Sequence, residues 1–284
     1  EASRPLRVLL VTHPRPDYGL DVLYDGLLTV LGPENVVEYP WKPFLHGQVP
    51  TELANYPCSF NHPGRPAPFE ALLAQLRERR FDLLLYGDTD CALDRDSARR
   101  LVEAAGDTPW AIVDQGDDPC DRRGAVLEHL GRDACPAYFK REMLACHDYG
   151  PGVYPLPFAY PDRRVGPGVG EGRRCDLFWA GHREFGMRRL YLERIEARLG
   201  RSLGRHYGPE EYVATLRDAR IGLSLFGLGF DTVRYWELPA QGCLLLAERP
   251  PLRIPYDFED GRSAVFFGDL PELEGRLEHF LGHP

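Results

Sequence analysis

The sequence predicts an α/β protein made of two doubly wound units in succession, facing one another across a cleft. Three observations carry this. Short apolar runs alternate with segments whose apolar residues fall on one helical face, as parallel strands covered by helices on both sides require. A stretch dense in Pro and Gly interrupts that alternation near mid-chain. Beyond it the same alternation starts again.

The first set opens with the apolar run Arg7–Thr12. Leu20–Leu31 follows, with Leu20, Leu23, Leu27, Leu28 and Leu31 spaced for one face of a helix. Asn35–Tyr39 reads as a strand. Phe69, Leu72, Leu73 and Leu76 mark a second helix that feeds the strand Phe81–Tyr86. Ser97–Ala105 is a third helix and Trp110–Val113 another buried strand. Tyr39–Pro68, rich in Pro, Gly and His, is an irregular excursion of the length that functional loops have.

Tyr149–Gly172 holds five prolines and six glycines and reads as a domain boundary. The expected domains are 1–158 and 159–268, with 269–284 as a terminal helix. In the second, Cys175–Ala180 is a strand, and Met187–Leu199 and Pro209–Ala219 are helices. A strand over 221–226, a helix after Asp231, a strand over 243–247, a short strand Ala264–Phe267 and a final helix Leu270–Leu281 complete it. Ligands of such sheets bind beyond the carboxyl ends of the strands, where strand order reverses.

Composition narrows the function classes. The chain has 284 residues, 43% hydrophobic and 27% charged, which is ordinary for a globular protein. Its formal charge of −9 repels nucleic acid and anionic membrane as a whole. No apolar run approaches the ~20 residues of a membrane span, and the residues before the first strand hold no signal-peptide core. Seven cysteines without a C-x-x-C pair read as reduced and mostly buried, so a cytoplasmic location is expected.

The most informative stretch is Phe226–Gly242, FGLGFDTVRYWELPAQG. A strand empties into a loop with Gly227 and Gly229, and a helix begins after Asp231 and Thr232. Glycines allow close approach of backbone N–H groups, and a helix start leaves such donors unpaired, which suits a phosphate. Glu237 is an acceptor-only carboxylate able to take two hydrogen bonds from a ribose diol. An ordinary strand-to-helix turn with Asp231 or Thr232 as N-cap, and a Glu237 paired to Arg234, is the plainer alternative.

With Gly229, Asp231, Arg234-Tyr235-Trp236-Glu237 and Ala240-Gln241-Gly242, the segment resembles the donor-binding half of GT-B fold glycosyltransferases, especially the spore-maturation-protein-like and exostosin-like branches. The resemblance implies two Rossmann-like domains, the first on the acceptor side and the second binding a nucleotide-sugar donor, with the final helix returning toward the first. It implies sugar transfer from a nucleoside-diphosphate-sugar, a UDP-sugar favoured, to an acceptor hydroxyl, with no tightly bound cofactor and no metal. Glu237 takes the ribose-binding position. Many relatives carry a second Glu where Gly229 stands here, so the acid touching the donor sugar is missing or supplied by Asp231.

Further candidates surround this core. Gly181-His182-Arg183-Glu184-Phe185-Gly186-Met187-Arg188-Arg189 offers glycines and cations for a diphosphate leaving group; Arg183 is the preferred ligand, with Arg188 and Arg189 behind it. Tyr207 is placed to stack on a nucleobase. On the acceptor side, His13 follows the first strand, while Asp88 and Asp117 follow later strands and are the choices for activating an acceptor. His46 is a further acceptor-side candidate. The acceptor is a glycan, a small molecule or another hydroxyl compound, a nucleic acid included. Two rival readings remain open: a metal-dependent GT-A-like transferase using Asp88-Thr89-Asp90 as a DxD motif, and a nucleotide-sugar-binding module without catalysis.

Overall fold

The computed structural model describes residues 4–49, 60–166 and 172–283. Cys58, the middle of the Tyr39–Pro68 excursion and residues 167–171 of the boundary stretch lie outside these. The chain divides into two compact units. One runs to Met143 and includes His147–Pro157; the other comprises Leu144–Cys146 and the chain from Phe158.

In the first unit, β1 (Val8–Val11), β2 (Val36–Tyr39), β3 (Leu83–Tyr86), β4 (Trp110–Asp114), β5 (Tyr138–Lys140) and β6 (Val153–Pro155) form one sheet. Every pairing is parallel, in the order β2-β1-β3-β4-β5-β6. Strand order reverses between β1 and β3, so the loops leaving these strands flank the switch point. The helices α1 (Tyr18–Leu31), α2 (Phe69–Arg77) and α3 (Arg95–Ala105) match the periodic segments of the sequence. Asp17 and Asp94 cap α1 and α3 by accepting from Leu20 N and Ser97 N, each at 2.9 Å. The helix α4 (Arg123–Leu130) and the strands β5 and β6 are additions to the expected set. Each strand is three residues long, and α4 buries only Val126, His129 and Leu130, too little for periodicity to register.

The excursion after β2 is tied down by buried charge. Lys42 Nζ meets Asp21 Oδ1 at 2.6 Å with the two side chains 0% and 1% exposed, and also donates to Thr12 Oγ1. His46 stacks on Trp41 and bridges Glu38 Oε1 and the His62 carbonyl, each at 2.9 Å.

In the second unit, β7 (Cys175–Phe178), β8 (Ala219–Ser224), β9 (Leu244–Glu248) and β10 (Val265–Phe267) form a parallel sheet in the order β10-β9-β8-β7. Alternate strand residues point to opposite faces. Leu177, Leu223, Leu246 and Phe267 pack with Leu192 and Ile195 of α5 (Arg188–Leu199) and Leu273 and Leu277 of α8 (Leu270–Gly282). Phe178, Leu245, Ala247 and Phe266 pack with Leu216 of α6 (Pro209–Arg217) and Tyr235 and Leu238 of α7 (Val233–Ala240). Helices therefore cover both faces, as in the Rossmann-like domains expected. The strand order runs one way, so no reversal marks a ligand site in this unit. The terminal helix α8 lies in this unit's own core through Leu273 and Leu277.

Among the described residues six cysteines are free thiols, and of these only Cys243 is buried. Cys91, Cys135 and Cys175 are half-buried, and Cys120 and Cys146 are exposed, which corrects the expectation of general burial. Among the described residues no helix is long and apolar enough to cross a membrane.

The Asp21–Lys42 pair generates a test. Burial raises the Asp21 pKa from 3.8 to about 6, against the pull of Lys42. The folded state thus holds this proton more tightly than the unfolded chain, and the group's contribution to stability falls as pH rises from about 4 to about 6. Lys42→Met strands the carboxylate and should cost about 3–5 kcal/mol at pH 7 in urea unfolding, with a smaller loss at pH 5.

Candidate anion-binding edge

The carboxyl ends of β7 and β8 open into two glycine-bearing loops, and two guanidinium groups lie against them. Arg188, the first residue of α5, is buried and donates to the His182 carbonyl at 2.9 Å and the Leu225 carbonyl at 3.0 Å. A Cβ on Gly227 would stand 3.1 Å from its Nη2, so Gly227 leaves room for this arginine. Arg234, in the first turn of α7, lies over Gly181, where a Cβ would come within 3.0 Å of its Nη2; Gly181 has φ +149°.

The two cations reach the edge from helices on opposite faces of the sheet and feel one another. Burial, then the charge of Arg234, lowers the Arg188 pKa to about 10. Neither has a carboxylate within ion-pair distance among the described residues, and the Nε of each is buried without a hydrogen-bond partner. Buried or half-buried cations are normally paired, so two such groups together favour an anion. Thr232 precedes α7 but leaves the helix start uncapped, since its hydroxyl bonds Ser224 Oγ at 3.0 Å instead. Of the first-turn donors of α7, Tyr235 N is spent on the Thr232 carbonyl at 3.0 Å.

Glu237 sits one turn further along α7. It is 1% exposed; Tyr212 donates its hydroxyl to Oε2 at 2.6 Å, and Oε1 is buried without a partner. Burial raises its pKa, while the Tyr212 hydrogen bond and the Arg234 charge hold it down. An acceptor left unmet at such a site costs about 1–3 kcal/mol, which a ligand hydroxyl would recover. Tyr212 packs edge-on against Phe178 at the end of β7, and Tyr207 lies beside both rings. Tyr207, Glu237, Arg234 and Arg188 therefore belong to one stretch of the edge. Tyr212 escaped the sequence reading because nothing in the chain marks its hydroxyl as the partner of Glu237.

Other expected ligands are committed to the protein. Arg183 forms a two-pronged ion pair with Glu196, at 2.8 and 2.7 Å, and donates to the Leu203 carbonyl, so it fastens its loop to α5. Asp231 accepts from Trp236 Nε1 at 2.8 Å and from Phe158 N at 2.6 Å, and so anchors its loop. Gly229 is buried, and its carbonyl accepts from Gly227 N at 2.9 Å, closing the loop tip.

In the first unit the expected acceptor residues separate. His13, after β1, pairs its Nε2 with Asp17 at 3.2 Å and keeps Nδ1 buried and unpartnered. Burial opposes ionisation of Asp17, but hydrogen bonds from His13 and Leu20 N and the Lys42 charge leave its pKa lowered overall. Asp88 is fully buried and accepts from Ala92 N and Leu93 N, while Asp90 pairs with Arg15 and Arg122. These two carboxylates hold a turn and a surface ion network. Asp117 is 56% exposed and paired with Arg141. His46 is spent between Glu38 and His62. Among the described residues no cluster of three or more His, Cys, Asp or Glu side chains could hold a metal.

The Arg183 assignment has a measurable consequence. Arg183→Ala should lower stability by about 0.5–1 kcal/mol, since the pair is partly solvated, and change nucleoside diphosphate affinity less than about threefold by calorimetry.

No curated protein matches the chain. Residues 173–284 match the family model described as glycosyl transferase-like, a span that contains Arg188, Arg234, Glu237 and both glycine loops, and the match supports glycosyl transfer as the general chemistry of this unit.

Proposed function

We propose that the protein is a glycosyltransferase that takes a sugar from a nucleoside-diphosphate-sugar, a UDP-sugar favoured, and passes it to an acceptor hydroxyl without a metal ion. The observation that carries this reading is the pair of guanidinium groups, Arg188 and Arg234, that lie over glycine backbone at the ends of β7 and β8 without a carboxylate in ion-pair contact among the described residues. In it, Arg188, Arg234 and the uncapped start of α7 hold the diphosphate. Glu237 Oε1 accepts from the ribose, and Tyr207 stacks on the base.

When the glycosidic bond to the diphosphate breaks, negative charge grows on the leaving oxygen. Fixed cations and backbone donors stabilise that charge without reorganising, which is the part of catalysis a divalent ion would otherwise supply. The acceptor is assigned to the first unit, where the β1 loop places His13 at the switch point with Nδ1 available to a hydroxyl. The lack of an acid at position 229 favours a second reading, a nucleotide-sugar binder without turnover. Release of free nucleoside diphosphate in a donor-hydrolysis or acceptor screen decides between them.

Two outcomes test the main reading. Calorimetry should show UDP or GDP binding that weakens about 10- to 100-fold in Arg234→Gln, the loss expected of a charge-assisted contact. Unchanged affinity rejects the site. Turnover should survive EDTA, and full loss that returns with a divalent cation rejects the metal-independent mechanism.

A further inference from the structure

The proposed donor site accounts for base, ribose and diphosphate but leaves the transferred sugar without an acidic contact, since Gly229 has no side chain and Asp231 is spent on Trp236 and Phe158. One carboxylate at the same edge is not used up. Glu248 ends β9, the strand beside β8, and its Oε2 accepts from Phe226 N at 2.6 Å. Phe226 lies between Leu225, whose carbonyl receives Arg188, and Gly227, whose missing side chain makes room for the same arginine. Glu248 is half-buried, and the one hydrogen bond to its carboxylate among the described residues is that to Oε2. Burial raises its pKa, and the Phe226 N–H and the Arg188 charge counter that rise, which places Arg188 within its field.

The order along the edge is informative. Tyr212, which holds Glu237, packs on Phe178 at the end of β7, and Arg234 lies over Gly181 just beyond it. Arg188 covers the loop after β8, and Glu248 follows at the end of β9. Adjacent strands are about 4.8 Å apart, so the sequence ribose carboxylate, cation, cation, second carboxylate crosses roughly 10 Å. A nucleoside-diphosphate-sugar presents hydroxyls, two phosphates and hydroxyls again in that order. The arginines also separate Glu248 from the like charge of Glu237.

Resting on the donor reading above, we infer that Glu248 accepts hydrogen bonds from hydroxyls of the transferred sugar and so selects which sugar the enzyme takes. Oε2 stays on Phe226 and fixes the carboxylate, while Oε1 meets the ligand. The role is recognition; no proton transfer is assigned to it.

Glu248→Gln keeps an oxygen for Phe226 N and removes the charge. Calorimetry compares wild type and variant with UDP, GDP and the glucose, galactose and mannose conjugates of whichever nucleotide binds. The expected result is nucleotide affinity within about threefold of wild type, a 10- to 100-fold loss for the preferred sugar conjugate, and reduced discrimination among the three sugars. Equal losses for nucleotide and conjugate, or no loss for either, overturn the inference while leaving the diphosphate site standing. If wild type binds neither nucleotide, the donor reading itself falls, and this one with it. Should the variant fail to fold, conjugates lacking one hydroxyl at a time are measured on wild type. A loss of about tenfold or more at one or two hydroxyls supports the contact, and uniform losses under threefold overturn it.

Discussion

Positive charge without a direct ion pair at the carboxyl edge of the second sheet is the constraint on which the rest of that unit depends: Arg188 and Arg234 feel the fields of Glu248 and Glu237 but touch neither carboxylate. A guanidinium taken out of water without a counter-ion is costly, and two in each other's field are costlier. The fold bears this because Arg188 is held by two backbone carbonyls and because glycines at 181 and 227 let the planar groups lie flat on the chain. Side chains at either glycine would crowd the arginines.

The first unit handles charge in the opposite way. Buried Asp114 is met by Lys140, the Tyr138 hydroxyl and Gly116 N; Asp90 and Asp118 are met by Arg122; buried Lys42 is met by Asp21. Such closed networks hold loops in place but offer a ligand little. His13 Nδ1, the Tyr86 hydroxyl and Gln115 Oε1 are buried polar atoms in this unit that no hydrogen bond meets.

Long periodic elements were legible from residues alone because their packing is local. The α1, α3, α5 and α8 faces and the apolar runs of β1, β3, β8 and β9 are all visible as spacing. The strands β5 and β6 are not, since three residues carry no period. The protein partners of the candidate ligands were not legible where those partners are distant in sequence. Arg183 and Arg188 look alike in the chain, and only Glu196, thirteen positions on, takes the first out of play. Asp231 reads as a helix cap until Phe158, 73 positions earlier, claims one of its oxygens. Glu237 stood out early because a carboxylate among Tyr235, Trp236 and Leu238 needs a reason to be there.

The bracing of Arg188 carries one more consequence. Its two terminal nitrogens grip the carbonyl of His182 in one loop and that of Leu225 in the next, so a single side chain yokes the two glycine-bearing loops. A lysine there would preserve the charge yet has one point of attachment instead of a planar fork. Field strength and mechanical rigidity are thus vested in the same residue. Exchanging it for its nearest chemical relative would spare the first and undo the second, letting the loops drift independently.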